Sequence, residues 1–440
     1  MHKKNTVSIA GELLRFSLPL IMSGVLQQLY SWADAFIIGH AEGEMQLAAI
    51  GATTSLSSFL NNTILGITLG LSIMAAQHFG RKETNTIRRI LAAFFPTLCG
   101  LYTLLSLAAS AFMSPLLQFL GTPQELFDAA LSYLRILLWG IPFLACYNLY
   151  AALLRAIGNT KAAFYAIVLS SISNVLLDVL FVVILPFGIS GAAAATVISQ
   201  IGMTVFIVCY AMKKHPGILR VSFELRKDLS VIREGLRFSA PPAIKNSITS
   251  FGHLALQSFM NSFGAVTVLA VTTAYRVDCI TLLPIINLGA AISIMTAQAK
   301  GAQNNSRIRS CFKTGLFMML LISSLLACAM FVWGSAFIAV FGVTGSALEE
   351  GRVFFQDLSI FYPVFGLGIV LQSILEGIGD ISFCSIVGVV SLALRITLSY
   401  LLRPVFGART IALAEGITWL TIPFIFAIRM LLLSRKKGNK

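Results

Sequence analysis

The chain has 440 residues, of which 57% are apolar and only 11% are charged. Ordinary soluble domains carry about 25% charged residues, and a single soluble core of this length cannot bury so much apolar surface. The composition therefore excludes a soluble enzyme, a disordered chain and a disulfide scaffold. It predicts an all-α polytopic membrane protein, in which the net charge of +14 marks topology rather than nucleic-acid binding.

A helix needs about 20 apolar residues to cross the bilayer. The apolar runs of this chain are continuous, whereas a membrane β-barrel shows short alternating strands. They predict twelve transmembrane helices, in chain order over residues 15–38, 47–76, 89–113, 129–153, 162–185, 190–212, 236–262, 266–297, 312–336, 353–375, 382–402 and 409–433.

The connections between these spans differ in charge. If the twelve spans are correct, 25 of the 32 lysine and arginine residues lie on one side of the membrane. By the positive-inside rule that side is cytoplasmic. We therefore expect a multi-pass protein of the plasma membrane with both termini in the cytoplasm.

The two halves of the chain resemble each other. Residues 71–80 (LSIMAAQHFG) match 292–301 (ISIMTAQAKG) at an offset of 221, and 14–19 (LRFSLP) match 236–241 (LRFSAP) at an offset of 222. Parallel repeats of this kind are typical of transporters. They predict two pseudo-symmetric six-helix lobes, an N-lobe over 1–212 and a C-lobe over 236–440, joined by a cytoplasmic loop over 213–235.

Two prolines occupy matching places in the fourth and tenth spans. Pro142 and Pro363 are 221 residues apart, and a proline inside a helix removes a backbone donor and kinks the helix. Both are hinge candidates; the alternative is a fixed kink without motion.

Carboxyl groups inside the membrane are the strongest functional signal, because each one is costly there. We identify Asp34, Asp178 and Asp278 as lying well inside predicted spans. Asn174 lies one helical turn before Asp178, on the same face. Two neighbouring carboxylates in a low dielectric cannot both ionise without a cation, so Asp34 and Asp178 together predict a proton or Na⁺ site. The alternative is buried carboxyl groups that serve packing specificity.

The acid pair has no equivalent in the second half. At the repeat offsets Asp34 aligns with Leu256, Asn174 with Arg395 and Asp178 with Ser399. This asymmetry favours a specialised site in the first lobe.

The second half carries a polar stripe on its seventh span and one acid on its eighth. Asp278 either attracts a cationic substrate or proton, or forms a neutralising pair with Lys245 or Arg276. His253 is a candidate of the same stripe, with a polar core role as its alternative. The full set of cavity candidates is Gln27, Tyr30, Tyr147, Asn246, His253, Gln257, Tyr275 and Asp278.

These features together resemble the multidrug and toxic compound extrusion (MATE) family, and the resemblance covers essentially the whole chain. It rests on the serine–proline near the start of each half, QLYSWAD at 28–34, the repeated A-Q-x-x-G and the turns AIGN and GIGD. The resemblance implies a V-shaped pair of lobes that export amphipathic, often cationic drugs by alternating access against H⁺ or Na⁺. In the DinF-like branch it implies a coupling site at Asp34, Asn174, Asp178, the Ala192 carbonyl and Thr196.

The NorM-like branch carries membrane carboxylates on its seventh and tenth helices. We interpret Glu376 and Asp380 as turn residues that follow the tenth span, and this departure favours the DinF-like branch. The alternative function is a flippase for lipid-linked oligosaccharide or peptidoglycan precursors. The basic residues Lys245, Arg276 and Arg395 are the sequence features that favour this alternative. A channel or membrane enzyme is disfavoured, since no filter, Walker A motif or catalytic motif is present. We expect a monomer in the lipid bilayer with small-molecule substrates and no catalytic residues, metal or cofactor beyond the coupling ion.

Overall fold

The computed structural model describes residues 8–119, 122–221 and 228–438, and all regular structure within these ranges is helical. The first half comprises α1 (Ile9–Ala41), α2 (Glu44–Gly80), α3 (Thr84–Phe119), α4 (Gln124–Ala156), α5 (Lys161–Asp178), a π-helical segment (Val179–Ile184), α6 (Gly188–Lys214) and α7 (Pro216–Leu219). The second half comprises α8 (Leu229–Asn261), α9 (Ala265–Thr281), α10 (Leu283–Gly301), α11 (Asn305–Ala339), α12 (Gly345–Ser359), α13 (Tyr362–Ile378), α14 (Ile381–Phe406), a 3₁₀ segment (Gly407–Arg409) and α15 (Thr410–Gly438).

The predicted all-α membrane fold is confirmed. Within the described residues, nine stretches are long and apolar enough to cross a membrane, or ten if the bent pair α12–α13 is one span. One of the nine, residues 381–435, contains both α14 and α15. The polar helix α8 is not among them, although it is as long as α1. Each predicted span thus coincides with one long helix or with two consecutive segments.

Some of the basic residues from which the orientation was predicted lie outside the described residues. They are Lys3, Lys4, Arg226, Lys227 and Lys440. The same holds for residues 222–227 of the connection predicted at 213–235. The orientation of the termini therefore remains a prediction.

The internal repeat is visible in the helix bounds. Helix α2 covers 44–80, and the pair α9–α10 covers 265–301, 221 residues later at both ends. The second copy is interrupted where Pro284 enters the first turn of α10, because proline lacks the N–H that would continue the helix. The sequence has threonine at the equivalent position in α2, and that helix is unbroken.

The two hinge candidates differ in their surroundings. Helix α4 runs without interruption through Pro142. Pro363 instead occupies the first turn of α13, directly after a break at which α12 and α13 are bent by 48°. Pro363 thus lies within the predicted tenth span, at the bend between its two helices. The local difference is that residues 360–361 interrupt the second helix before its proline.

The chain folds into two compact units. The N-unit comprises residues 22–243, and the C-unit comprises the described residues of 1–21 together with 244–438. In the N-unit, α4 packs against α2, α3 and α6; in the C-unit, α13 packs against α10, α11 and α15. The predicted boundaries assign all of α1 to the first lobe and α8 from residue 236 onward to the second, whereas the structure divides both helices.

Close packing and ionic contacts hold the first half of α8 in the N-unit and the first half of α1 in the C-unit. A Cβ atom on Gly66 of α2 would lie 2.6 Å from the Ala243 Cα atom, so a side chain there would displace the first half of α8. The His78 ring faces Glu234 of the same segment at 3.4 Å. In the C-unit, Arg307 donates to Glu12 of α1 at 2.6 Å.

Asp228 caps α8. Its Oδ1 accepts hydrogen bonds from the Ser230 hydroxyl at 2.5 Å and the Ser230 backbone N–H at 3.2 Å, and its Oδ2 accepts one from Arg89 at 3.1 Å. The hydroxyl bond, followed by the backbone bonds and the charge of Arg89, lowers the pKa of the Asp228 carboxyl.

A lowered pKa in the folded state stabilises the cap above the ordinary aspartate pKa of about 3.9, and this stabilisation is lost as the pH falls through the folded value. We expect Asp228→Ala to accelerate hydrogen exchange in the first turn of α8 at pH 7, after correction for intrinsic rates. The difference from wild type should shrink towards pH 3. An equal difference at both pH values would contradict the role of the ionised carboxyl group.

Candidate functional site

Three helical segments of the N-unit meet at a small apolar contact. It joins Ile38 of α1, Val182 of the π-helical segment and Ala192 of α6, all of which are almost fully buried. Asp34 lies one turn before Ile38, Asp178 one turn before Val182, and Thr196 one turn after Ala192. Because α6 runs in the opposite direction to the other two segments, all three residues lie on the same side of this contact. Hydropathy identifies these three helices but not their contacts; the fold places them side by side.

The carboxyl groups of Asp34 and Asp178 interact directly. Asp178 is fully buried, and Asn174, one turn earlier, is 2% exposed. Within the described part of the chain, Asp34 Oδ1, both Asp178 oxygens and both Asn174 amide atoms are buried without a hydrogen-bond donor or acceptor. The contact between the acids becomes a hydrogen bond when one of them carries a proton. This arrangement leaves oxygen ligands available for a proton or a hard cation.

Asp178 is the last residue of α5, immediately before the π-helical segment. Within that segment the Leu185 N–H donates to the Leu180 carbonyl, a five-residue spacing, at 2.9 Å. Single π turns are frequent at functional sites. Gly191 allows α6 to approach it, because a Cβ atom on Gly191 would lie 2.9 Å from the Phe181 carbonyl oxygen.

The remaining two predicted coupling residues are adjacent to each other. The Thr196 hydroxyl donates to the Ala192 carbonyl at 3.1 Å. A carbonyl oxygen has two lone pairs, so this bond leaves the Ala192 oxygen with further acceptor capacity.

A cavity of about 500 Å³ lies in the N-unit beside the acid pair. Asp34 and Thr196 line it, and so do three of the predicted cavity residues, Gln27, Tyr30 and Tyr147. Asp178 and Asn174 are not among the described lining residues, so Asp34 is the member of the acid pair that reaches the cavity wall.

Sequence reasoning missed most of the residues that line this cavity, among them Tyr133, Ser171 and Gln200. Tyr133 is 6% exposed and interacts electrostatically with both aspartates and Tyr30. Ser171 was detectable, since it lies one turn before Asn174 on the same face of α5.

The other five cavity candidates, Asn246, His253, Gln257, Tyr275 and Asp278, belong to the C-unit and do not line this cavity. On α8, His253 and Gln257 are exposed, and Gln257 donates to Asn261 at 2.9 Å.

The surroundings of Asp278 differ from both predicted pairings. Its carboxyl group is 4% exposed and accepts a hydrogen bond from the Tyr362 hydroxyl. Arg276 points away and is exposed, because neighbours two apart on a helix lie on different faces. Lys245 instead interacts with Glu376. The predicted ion pair of Asp278 with Lys245 or Arg276 is therefore wrong.

A buried ion pair lies beside Asp278. Arg395 of α14 donates to Glu415 of α15 at 2.6 Å and to the Tyr275 hydroxyl at 2.8 Å, and that hydroxyl donates to Glu415 at 3.1 Å. Glu415 is 7% exposed. The sequence analysis overlooked Glu415, although it lies within the predicted span 409–433. Arg395 is the repeat counterpart of Asn174, so this part of the C-unit contains a neutralised ion pair where the N-unit contains an unpaired acid.

The interpretation of Glu376 as a turn residue was also wrong. It lies inside α13, is 7% exposed and accepts a hydrogen bond from the Gln372 amide at 2.7 Å. Asp380 does lie in the following turn, where it pairs with Arg429 at 2.7 Å. The tenth predicted span therefore ends in a buried carboxyl group, contrary to the argument from which the branch was inferred.

Comparisons with known proteins agree with this architecture. The MatE family model matches residues 19–180 and 241–401, two copies whose starts and ends are offset by 222 and 221 residues. The probable multidrug resistance protein YoeA of Bacillus subtilis is 25% identical over 98% of this chain and 94% of its own length. YpnP of the same organism is 26% identical over 94% and 93%.

Among solved structures, a crystal structure of MATE in complex with MaL6 superimposes with a TM-score of 0.91 at 21% identity, over 98% of both chains. At this identity the likeness establishes the fold alone. The family model, in contrast, covers well over half of the sequence, in two copies that coincide with the internal repeat. The chain belongs to the MatE family.

Proposed function

We propose that this protein is a secondary active exporter of cationic small molecules, driven by H⁺ or Na⁺ entry. Family membership supports transport, and the printed names of YoeA and YpnP, probable multidrug resistance proteins, support drug efflux. The proposal places the protein in the plasma membrane with both termini cytoplasmic, as the basic connections predict.

The observation that carries the coupling proposal is the buried acid pair. The Asp34 and Asp178 carboxyl groups interact, and Asp34 Oδ1 and both Asp178 oxygens are buried without a hydrogen-bond partner among the described residues. Such a pair holds a proton or a cation, since two adjacent carboxylates in a low dielectric repel each other strongly. For Na⁺, Asn174, the Ala192 carbonyl and Thr196 supply neutral oxygens within a turn of the pair.

The position of the pair connects ion binding to helix packing. Asp34 lines the cavity, whereas Asp178 is fully buried and does not, so an ion that enters from the cavity meets Asp34 first. Binding neutralises charge at the junction of α1, α5 and α6. A ligand shifts a conformational equilibrium by its differential affinity for the two states. A conformation that exposes the pair to water is favoured when the site is empty, and a closed one when it is occupied.

The flippase alternative depended on a basic central cavity. In the C-unit, Arg395 is neutralised by Glu415, and Lys245 interacts with Glu376. Asp34 is the one charged residue among the described residues that line the N-unit cavity. This charge distribution favours a cationic substrate over a pyrophosphate-linked lipid.

The test is efflux of a fluorescent cationic dye from proteoliposomes under an imposed pH gradient or an imposed Na⁺ gradient. We expect wild type to respond to one gradient, and Asp34→Asn and Asp178→Asn each to reduce gradient-driven efflux to the level of empty liposomes. Asp128→Asn, at an exposed aspartate of α4, is the matched control and should transport normally. Efflux that ignores both gradients, or that persists in both variants, would refute the coupling site; translocation of a labelled polyprenyl-pyrophosphate lipid instead would support the flippase.

A further inference from the structure

The wall of the N-unit cavity is unusually polar for this chain. Of the 22 described residues that line it, 13 have amide, hydroxyl or carboxyl side chains and only 9 are apolar when tyrosine is counted as apolar, as it is in the 57% for the whole sequence; the three tyrosines each add a phenol group. Small-molecule sites are usually lined mainly by apolar and aromatic side chains, with few polar groups. The aromatic residues in this wall are the three tyrosines Tyr30, Tyr133 and Tyr147, and neither phenylalanine nor tryptophan occurs among the described lining residues.

Several of these polar groups lack partners. Among the described residues, Asp34 Oδ1, Ser171 Oγ and Gln200 Oε1 are buried and unpaired, and all three residues line the cavity. Ser171 is 8% exposed as a whole residue. Leaving buried polar groups unpaired costs about 1–3 kcal/mol each, so water or a ligand with matching hydrogen-bond groups must satisfy them.

The described wall of the cavity also carries a single charged side chain. Asp34 is the single charged lining residue, and the other 15 polar residues are amides, hydroxyls and phenols. One carboxylate among neutral donors and acceptors matches one positive charge on a ligand that is otherwise rich in hydrogen-bonding groups. A lipophilic cation would satisfy the charge but would displace water from the amides and hydroxyls without replacing its hydrogen bonds.

We propose that the N-unit cavity selects hydrophilic organic monocations, such as amino-polyols, over lipophilic aromatic cations of equal charge. The inference rests on the proposed export function, since it names the substrate class of that same cavity. Sites built to hydrogen-bond a ligand reject analogues that lack the hydrogen-bonding groups more strongly than apolar pockets reject an extra methylene.

The experiment measures binding at equilibrium, without any ion gradient, by calorimetry on the full chain in lipid nanodiscs. Three probes separate charge from hydrogen bonding: N-methylglucamine is a cation with hydroxyls, sorbitol is a neutral polyol, and tetraphenylphosphonium is a cation without hydroxyls. We expect N-methylglucamine to bind at least about tenfold more tightly than either other probe.

The double variant Ser171→Ala/Gln200→Leu should bind N-methylglucamine about tenfold more weakly, because two hydrogen bonds are lost, while tetraphenylphosphonium binding is unchanged or improved. The control Gln118→Leu, at an exposed glutamine of α3 that is not among the described lining residues, should leave both affinities at their wild-type values. Thermal unfolding verifies that each variant is folded, and the single variants Ser171→Ala and Gln200→Leu replace the double one if it is not.

Equal or tighter binding of tetraphenylphosphonium, equal binding of sorbitol, or no binding of N-methylglucamine would each overturn the inference. These outcomes are separable from failure of the proposed function. Loss of gradient-driven transport with the binding preference intact would refute the coupling mechanism alone, and a reversed preference with coupled dye efflux intact would refute the substrate class alone.

Discussion

Replacing Glu415 by glutamine is expected to destabilise the C-unit by about 3–5 kcal/mol, because removing one partner of a buried ion pair leaves an uncompensated charge. Arg395 donates to Glu415 at 2.6 Å, and both are also bonded to the Tyr275 hydroxyl. The side chains of Arg395 and Glu415 are only 15% and 9% exposed, so water cannot substitute for the lost carboxylate. Equilibrium unfolding in mixed micelles measures the change in free energy of unfolding.

The double variant Glu415→Gln/Arg395→Gln provides the decisive comparison. If the loss comes from an unpaired charge, removing the second charge should recover most of the stability, since neutral replacements of buried pairs are often tolerated. The control is Glu349→Gln, which breaks the exposed pair of Glu349 with Arg352. A loss for Glu415→Gln no larger than that of this control would show that the cluster is hydrated.

Asp178→Asn is expected to change the free energy of unfolding in the opposite direction, stabilising the N-unit by about 1–3 kcal/mol. Both Asp178 oxygens are buried without a hydrogen-bond partner in the described chain, next to a second carboxyl group. A neutral amide removes the repulsion and can donate a hydrogen bond to Asp34, which removes the penalty of an unpaired buried group. The measurement is again equilibrium unfolding in mixed micelles, without added Na⁺.

The same substitution at Asp278 is the matched control. That carboxyl group already accepts a hydrogen bond from the Tyr362 hydroxyl, and bonds to ionised acceptors are about twice as strong as neutral ones. Asp278→Asn should therefore lower the stability of the protein. If both substitutions lowered it, the acid pair of the N-unit would be a structural feature like that of Asp278.

A stabilising change that abolishes coupled transport would follow the general relation between activity and stability. Functional sites retain groups that are unfavourable for the fold, because neutralising them removes the chemistry. The N-unit would then keep an unpaired acid for ion binding, while the C-unit keeps an ion pair for its own stability.

Several features of this protein follow from local sequence. The lengths of the apolar runs predicted twelve segments, each of which coincides with one long helix or two consecutive segments, because the bilayer imposes one length on every crossing helix. Constant offsets predicted the repeat, which recurs in the helix bounds. The one-turn spacing of Asn174 and Asp178 predicted a shared face, since helical periodicity is a local property.

Other features arise from contacts between residues far apart in sequence. Glu415 lies within the predicted span 409–433 and was detectable as a membrane carboxyl group; what the sequence does not show is that Arg395, on a neighbouring helix, neutralises it. Hydropathy likewise does not reveal that the first halves of α1 and α8 pack in different units from their second halves, because both helices are continuous.

The sequence by itself thus determined the class of fold, the repeat and the asymmetric acids, all of which depend on short-range periodicity and on the cost of burying charge in lipid. The tertiary structure decided which buried polar side chains meet: Asp34 and Asp178, Arg395 and Glu415, and Asp278 and Tyr362. It also decided where a polar cavity forms. The physical reason is that burial and hydrogen-bond satisfaction belong to the packed assembly of helices, whereas hydropathy belongs to each helix alone.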